Sequence, residues 1–389
     1  MKILLVSSRF PFPLEKGDKL RLFYQIRELS KYHEIILCSL TTIPISEQEL
    51  SPLEPFCSKI YILKLSKYRV VIRLIRSFFK KLPFSIGYFY SQNVQKKLNH
   101  IIKDELPDHI YCNLVRTTEY VKEVDIDKTL DYMDAFSTIM NKRISISNFL
   151  TKNIFRREAT LLKQYEEKIF YSFDNHCIIS EQDRSTLDFK NADKIEIIPN
   201  GIDLDFFKPN TEIKKEYDIV FVGNLGYHPN IIAVNYLIDE ILPLLLKENQ
   251  DIKILIAGAR PTKHILSLAS KNIIIEGWLD DIRFAYWKSK IMVAPIFQGA
   301  GQQNKILEAM ACGVPCITTS IVNNPYQAIQ GETILIADNN IEFAKQIELV
   351  LKNGKLYNKL ICNSLEFSKY YSWEAFGQKL NKLIEKGNW

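Results

Sequence analysis

The chain has 389 residues, of which 47% are hydrophobic and 25% are charged, and its net charge at pH 7 is +6. This composition is ordinary for a globular protein and excludes the disordered, collagen-like and low-complexity classes. A chain of 389 residues predicts two domains, since one domain usually takes about 100–200 residues. Seven scattered cysteines without a CxxC pair predict a reduced, cytoplasmic protein.

Strand and helix patterns alternate from the start of the chain. A buried strand is predicted at "KILLVSS", a helix at "DKLRLFYQIRELSK" and a second strand at "EIILCSL". Further strands are predicted at "DHIYCNL", "KTLDYMD", "NHCIIS" and "KIEIIPN", and a long charged helix at "FRREATLLKQYEEKIFYSF". This order predicts βαβ units with a parallel sheet.

The segment 59–103 is strongly basic, with eleven basic residues and no Asp or Glu. Within it, "KLSKYRVVIRLIRSFFKKLPF" interleaves cations with apolar residues at roughly helical spacing. Such a pattern is typical of a basic amphipathic element that contacts an anionic membrane surface. The alternative is a solvated helix whose apolar stripe packs into the core. A nucleic-acid partner is not expected.

Residues 199–216, "PNGIDLDFFKPNTEIKKE", combine prolines, a glycine and charges without periodicity, and this predicts a linker. The alternation restarts at "YDIVFVGNL" and continues through "KILIAGA", "NIIIEGW", "IMVAPI", "VPCITT" and "TILIA". We therefore expect an N-terminal domain 1–200, a C-terminal domain 201–368 and a final helix 369–389 that crosses back toward the first domain. Ligands of such sheets bind at the carboxyl ends of the strands.

The common phosphate-binding motifs are absent, because no GxGxxG follows the first strand and no GxxxxGK[ST] occurs. The stretch "QGAGQQNKILEAMACGVPCI" (298–317) offers another solution. Gly299 and Gly301 allow a ligand to approach the backbone closely. The amides of Gln302, Gln303 and Asn304 lie just after them, at a helix start, and can donate to a phosphate.

Two charged residues follow in the same helix. Lys305 adds a positive charge for phosphate, whereas Glu308, three residues later on the same helix face, can accept hydrogen bonds from a ribose diol. Together they predict a site for a nucleoside diphosphate. The alternative is an ordinary i,i+3 surface ion pair.

These residues also carry a resemblance. The stretch "GAGQQNKILEAMACGVPCITT" resembles the donor-site segment of glycosyltransferase family 4 (group 1), whose members have the GT-B fold. The segments "KILLVSSRFPFPLEKGDKLRLF", "IIPNGIDLDFFKP", "FVGNLGYHPN" and "YSWEAFGQKL" are similar to other parts of this family in the same order. With "RREATLLKQYEEKI" and "IAGARP", the pattern looks closest to the exopolysaccharide- and exosortase-associated sugar transferases.

The resemblance implies an α/β protein with two Rossmann-like domains that face a central cleft. It also implies that Lys305 and Glu308 are the catalytic residues and that Glu308 binds the ribose. The family's first motif glutamate falls on Ala300, and its Arg/Lys pair after the "VG" strand is replaced by "NLGYH". Lys305, with Arg260, is therefore expected to hold the diphosphate. No metal or other cofactor is implied.

The remaining site residues follow from the same resemblance and from their places at strand ends. Donor contacts are expected from Gly17, Gly223, Asn224, His228 and Trp278, although Trp278 could equally belong to the core. Acceptor contacts are expected from Asp18, Arg116 and Asp134, and Asp131 is a further candidate for acceptor hydroxyls.

The function implied is a retaining glycosyltransferase that moves a sugar from a nucleotide-sugar donor to a glycan or lipid-linked acceptor. Its expected setting is cell-surface polysaccharide biosynthesis, in the cytoplasm and peripherally on the inner membrane face. Two alternatives stay open. One is a nucleotide-sugar 2-epimerase of the same fold, and the other is a non-catalytic nucleotide-sugar-binding partner of a polysaccharide assembly complex.

Overall fold

The structure is a computed structural model that describes residues 1–14, 16–145, 147–298 and 302–386. The predicted donor-site glycines Gly299 and Gly301, and Ala300 between them, lie outside the described residues. The chain divides into two compact units, one formed by Met1–Pro199 and Phe376–Trp389 and the other by Asn200–Ala375.

The first unit contains a seven-stranded, fully parallel sheet in the order β3-β2-β1-β4-β5-β6-β7. The strands are β1 (Lys2–Ser7), β2 (Glu34–Thr41), β3 (Lys59–Lys64), β4 (His109–Asn113), β5 (Lys128–Met133), β6 (Asn175–Ile178) and β7 (Glu196–Ile197). The α-helices are α1 (Gly17–Leu29), α2 (Glu47–Leu50), α3 (Val70–Phe79), α4 (Phe84–Gly87), α5 (Gln92–Glu105), α6 (Phe136–Ser145), α7 (Phe149–Phe170) and α8 (Glu181–Ser185).

Strand β3 is the strand of this sheet that the sequence analysis did not predict. Its residues lie at the start of the basic segment, and Lys59 and Lys64 at its two ends obscure a short apolar run. The strand forms one edge of the sheet, where lysines protect against pairing with another chain. Lys59 also forms an ion pair at 2.8 Å with Glu105 at the end of α5.

The second unit contains a six-stranded parallel sheet in the order β10-β9-β8-β11-β12-β13. The strands are β8 (Tyr217–Val222), β9 (Ile254–Ala257), β10 (Ile273–Glu276), β11 (Ser289–Ala294), β12 (Cys316–Thr318) and β13 (Leu335–Ile336). The α-helices that begin in this unit are α9 (His228–Tyr236), α10 (Leu242–Glu248), α11 (Lys263–Ser267), α12 (Arg283–Trp287), α13 (Asn304–Ala311), α14 (Ser320–Asn323), α15 (Asn340–Lys352), α16 (Gly354–Lys369) and α17 (Trp373–Glu385).

The helical run His228–Glu248 joins α9 and α10 through a π-helical turn at Leu237–Ile241. Among the described residues it is the one helix long and apolar enough, by length and composition, to cross a membrane. Its Val234, Leu237 and Leu245 are buried in the core of the second unit. This is how a core helix of a parallel α/β sheet packs.

Both sheets have a topological switch point, where successive crossovers begin to run in opposite directions. In the first sheet it lies between β1 and β4, and in the second between β8 and β11. Loops that leave the carboxyl ends of two such strands diverge and leave room for a ligand. The predicted α/β architecture with two parallel sheets is confirmed, and each switch point marks a candidate binding edge.

Candidate functional site

Lys305 lies in the first turn of α13, beside the switch point of the second sheet. Its Nζ donates a hydrogen bond of 2.8 Å to Oδ1 of the buried Asn230 in α9 and lies 4.6 Å from the ring centroid of Phe221 in β8. No carboxylate of the described residues forms an ion pair with Lys305. Burial lowers the pKa of Lys305 to about 8, and Glu308 limits that fall. This cation is therefore available to an anionic ligand.

Two glycines let the backbone pass closely around Lys305. A Cβ at Gly223, directly after β8, would lie 2.9 Å from Nζ of Lys305 and 2.8 Å from Nδ2 of Asn230. Gly258, directly after β9, has a φ of +140°, and a Cβ there would lie 1.8 Å from the carbonyl oxygen of Gly223. Glycine is thus required at 258 by both the backbone conformation and the contact.

We expect Gly258→Ala to be strongly destabilising, because the methyl group would overlap the Gly223 backbone in a conformation that L-residues avoid. The expected loss exceeds about 3 kcal/mol in the free energy of unfolding, measured by urea denaturation. Gly354→Ala is the matched control. A Cβ at Gly354, at the start of α16, meets nothing within 4 Å, so its effect should be small. Equal stability of the two variants would contradict the role of Gly258.

Glu308 faces a different partner from Lys305. Its Oε2 accepts a hydrogen bond of 2.7 Å from the hydroxyl of Tyr286, which is fully buried in α12. Burial raises the pKa of Glu308, whereas the Tyr286 hydrogen bond and Lys305 oppose that rise. Among the described residues nothing donates to Oε1, and no ion pair joins Glu308 to Lys305. The surface ion-pair alternative is therefore wrong.

The start of α13 has backbone N–H groups that donate to none of the described residues. Gln303 is the N-cap, but its side chain makes no capping hydrogen bond, and the first turn holds no acidic residue. Within the described part of the chain, no group accepts from the N–H of Asn304 or Lys305, and Oδ1 of Asn304 is buried without a partner. The side-chain amide of Gln302 pairs with the backbone of Asn200 through two hydrogen bonds of 2.8 Å.

The other predicted donor residues lie at the carboxyl edge of the same sheet. Asn224 and His228 follow β8 and are exposed, and Oδ1 of Asn224 accepts from the N–H of Gly226 at 3.0 Å. Arg260 follows β9 and is exposed, with a φ of +57°. Trp278 follows β10 and is 74% exposed, which excludes the alternative that it belongs to the core.

The first unit gathers charged residues at its own switch point. Arg9, after β1, forms an ion pair of 2.7 Å with Asp18 in the first turn of α1. Arg116, after β4, stacks over the rings of Phe136 and Phe89 at 4.6 and 5.4 Å. Burial, together with Arg9, lowers the pKa of Arg116 to about 10. Its Nε is buried and hydrogen-bonds to none of the described residues.

Asp134 completes this group directly after β5. Burial raises the pKa of Asp134 to about 7, and the nearby Asp183 adds to the rise. Leu114 and Met133, at the ends of β4 and β5, have backbone φ values of +68° and +62°, which residues other than glycine rarely adopt. Strained backbone of this kind concentrates at functional sites. Arg116 and Asp134, which follow it, remain candidates for acceptor contacts.

Two further residues of the first unit were predicted to contact a ligand. Asp131 in β5 is fully buried and forms a 2.7 Å ion pair with the equally buried Arg21 of α1. It therefore has a structural role, and the suggestion that it contacts acceptor hydroxyls is wrong. Gly17 is exposed at the start of α1, where a Cβ would make only an ordinary contact of 3.7 Å with Met133.

The sequence analysis missed Asn230, Phe221, Tyr286 and Gly258. Asn230 had a detectable signal in the sequence, because an asparagine follows a proline shortly after the "VG" of a predicted strand, in "FVGNLGYHPN". The others look like ordinary core or loop residues until the fold brings them together. Within the described residues no group of three or more His, Cys, Asp or Glu side chains is arranged to hold a metal ion.

Known proteins resemble this chain over part or all of its length. Residues 216–353 match the family model "Glycosyl transferases group 1". A protein from Klebsiella pneumoniae, named "Uncharacterized 44.6 kDa protein in cps region", is 26% identical over 94% of this chain and 95% of its own length.

Two solved structures share the fold over the whole chain. A glycosyltransferase from Rickettsia africae has a TM-score of 0.68 at 15% identity, covering 100% of this chain and 98% of its own. Anabaena HepE in complex with UDP has a TM-score of 0.68 at 13% identity, covering 99% of this chain and 100% of its own. The predicted GT-B fold class is confirmed. Residues 216–353 thus match the group 1 glycosyl transferases, and the findings support a glycosyltransferase activity for the chain.

Proposed function

We propose that the protein is a retaining glycosyltransferase that uses a nucleotide-sugar donor and a glycan or lipid-linked acceptor in cell-surface polysaccharide biosynthesis. The observation that carries the proposal is Lys305, a half-buried cation at the sheet switch point that is held by the neutral Asn230 rather than by a carboxylate. A desolvated cation without a carboxylate partner, beside helix-start N–H groups that donate to none of the described residues, favours a diphosphate. The UDP bound in the HepE structure supports a nucleotide-sugar donor, and the cps-region relative supports a role in polysaccharide biosynthesis.

Each donor-site residue has a defined task in this proposal. Lys305 and the N–H groups of Asn304 and Lys305 neutralise the diphosphate, and the open Oε1 of Glu308 accepts from the ribose. The same cation stabilises the negative charge that grows on the leaving diphosphate as the sugar departs. Gly223 and Gly258 keep the surrounding backbone close enough for these contacts.

Retention follows from front-face substitution. The bond between the anomeric carbon and the diphosphate oxygen breaks while the acceptor oxygen bonds to the same face of the sugar. The acceptor hydroxyl proton passes to the leaving phosphate oxygen, so the step needs no protein nucleophile. Asp18, Arg116 and Asp134 of the first unit are the proposed acceptor contacts, and catalysis rests on positioning and charge stabilisation.

The basic segment 59–103 is proposed to bring the protein to the anionic inner face of the cell membrane, where a lipid-linked acceptor resides. Exposed cations and apolar side chains on this segment support the proposal. The protein would then work peripherally on the cytoplasmic side.

The experiment incubates the purified protein with a nucleotide sugar, with and without a bacterial lipid extract, and follows nucleoside diphosphate release and the anomeric configuration of the product by NMR. We expect release that depends on the acceptor and a retained configuration. Conversion of the donor without an acceptor would support the 2-epimerase instead. Donor binding without turnover on any lipid fraction would support the non-catalytic partner.

Donor binding should take up protons at alkaline pH. At pH 9, Lys305 with a pKa of about 8 is mostly neutral in the free protein, and a bound diphosphate restores its charge. Calorimetry with UDP at pH 9, in buffers that differ in ionisation enthalpy, should therefore show uptake of most of one proton, against almost none at pH 7. Lys305→Arg is the control, because arginine stays charged at both values. The same uptake in Lys305→Arg would contradict the assignment.

A further inference from the structure

Helix α3 exposes its apolar face and buries part of its polar face, which is the reverse of the usual arrangement for an amphipathic helix on a protein surface. Its apolar residues point outward, and Phe79 is 79% exposed, whereas Arg73 and Ser77 are buried. The exposed set, spaced along one helical stripe, is Tyr68, Val71, Ile72, Ile75, Phe78 and Phe79. The alternative that this stripe packs into the core is therefore wrong. Exposed contiguous apolar faces of this kind mark contact with a partner or a membrane.

This orientation is fixed by close packing on the protein side. A Cβ at Gly87 in α4 would lie 1.6 Å from Oγ of Ser77, so the two helices meet at their smallest residues. Ser77 in turn donates to the carbonyl of Arg73 at 2.7 Å, and Nη1 of Arg73 donates to the carbonyl of Ser66 at 3.0 Å. Rotating α3 to bury the apolar stripe would break the contact with Gly87 and the hydrogen bond to Ser66.

A basic cavity of about 580 Å³ lies alongside α3. Its five cationic lining residues are Lys64, Arg69, Arg73, Arg76 and Lys80. None of them forms an ion pair with a carboxylate of the described residues. The carboxylate that does line the cavity, Glu119, is already paired with Lys122 at 3.0 Å.

Arg73 is the residue that points to a ligand. Its side chain is 8% exposed, yet its Nε and Nη2 are buried without a hydrogen-bond partner among the described residues. A buried guanidinium with two unused donors is costly, and an anion in the cavity that this side chain lines would offset part of that cost by compensating the charge. The four other cations lie around the same cavity and add to its positive potential.

We propose that this cavity binds the phosphate of an anionic membrane lipid while the exposed face of α3 enters the bilayer interface. The lipid is the proposed occupant because the phosphate site and the apolar face belong to the same helix, and a lipid supplies both chemistries. This inference rests on the proposed membrane contact of segment 59–103 and is independent of the donor site in the second unit.

The test measures co-sedimentation of the protein with two kinds of phosphatidylcholine vesicles, without any nucleotide sugar. One kind contains phosphatidylglycerol, and the other contains a fatty acid added until both have the same zeta potential. We expect the wild type to bind the phosphatidylglycerol vesicles about tenfold more tightly, because charge-assisted hydrogen bonds from the cationic lining of the cavity favour a phosphate group over diffuse attraction. Equal binding to the two vesicles would overturn the proposed site.

Two matched double variants separate the cavity from general charge. Arg76→Gln with Lys80→Gln should remove the preference for phosphatidylglycerol. Lys96→Gln with Lys97→Gln removes the same charge from exposed positions of α5 outside the cavity and should keep the preference. The proposal is wrong if the cavity variant keeps the preference or the α5 variant loses it.

A third variant tests the apolar face, and inorganic phosphate tests the source of the ligand. Ile75→Ser with Phe79→Ser should weaken binding to both vesicles at least about tenfold, since two exposed apolar side chains are lost. Wild-type binding by this variant would overturn the bilayer contact. Displacement of the protein from vesicles by inorganic phosphate at constant ionic strength and millimolar concentration would show a site for free phosphate instead. Because no donor is present, failure here leaves the glycosyltransferase proposal intact.

Discussion

Lys305→Ala is expected to reduce sugar transfer by about a thousandfold, to the background of the assay. Removing one preorganised hydrogen-bond donor to a developing oxyanion typically lowers kcat by a factor of about 100 to 1,000. Lys305 also carries the charge that holds the diphosphate. The measurement is the rate of nucleoside diphosphate release with saturating acceptor. The thermal midpoint should change little, because the variant loses one hydrogen bond to Asn230 and exposes no new charge.

Lys345→Ala is the matched control for this result. Lys345 is an exposed lysine of α15 in the same unit, away from the α13 helix start. Its replacement should leave both the rate and the thermal midpoint unchanged. Turnover by Lys305→Ala at a rate near the wild type would remove Lys305 from the chemistry and with it the donor-site assignment.

Asp131→Ala is expected to destabilise the protein more than any other single carboxylate change considered. Asp131 and Arg21 are both fully buried, and their ion pair is supported by Gln25 and by a 2.9 Å hydrogen bond from Arg21 to the carbonyl of Ile198. Burial disfavours the charge on Arg21, but Asp131 more than offsets it and raises the pKa of the guanidinium. Removing Asp131 leaves that charge buried and unpaired, at a cost of about 3–5 kcal/mol.

Thermal unfolding followed by circular dichroism should show a midpoint lower by on the order of 10 °C. Asp188→Ala is the control, because Asp188 forms an ion pair of 2.7 Å with Lys163 on the exposed surface, where such pairs contribute little. Combining Asp131→Ala with Arg21→Met should recover part of the loss, since both charges then leave the interior. No recovery in the double variant would mean that the loss comes from packing rather than from the unpaired charge.

Most of the fold could be predicted from the sequence, because buried parallel strands have sequences that are short, nearly continuous runs of apolar residues. "KILLVSS", "EIILCSL" and "YDIVFVGNL" are of this kind, and each contains an observed strand. Strand β3 escaped detection because its four central residues are flanked by lysines at an exposed edge. Edge strands bury less surface, so their sequences are less constrained toward apolar residues.

The local part of the candidate donor site at α13 could be predicted, whereas the partners from other helices could not. A cation in the first turn of a helix, after glycines and amides, is a local pattern, and Lys305 and Glu308 stand where that pattern placed them. Their partners Asn230 and Tyr286 come from other helices, 75 and 22 residues away along the chain. Such pairings depend on the strand order of the sheet, which local spacing does not encode.

Which side of a helix or loop packs against the rest of the protein was the hardest property to predict. The amphipathic pattern of α3 was evident in the sequence, but periodicity alone does not say which face is buried. Gly87 and Ser77 decide it by allowing close approach on the polar side of the helix. Similarly, nothing local distinguishes Gly258 from other loop glycines until the Gly223 carbonyl is placed 1.8 Å from its missing Cβ.

The most direct test of the donor site is thermal stabilisation of the wild type and Glu308→Gln by UDP-, GDP-, ADP- and TDP-sugars. Glutamine keeps an acceptor for the buried Tyr286 hydroxyl and removes only the carboxylate charge, so the fold should persist. We predict that one nucleotide raises the wild-type melting temperature and that Glu308→Gln loses this response. No stabilisation of the wild type by any of these nucleotide sugars at millimolar concentration would contradict a donor site at α13.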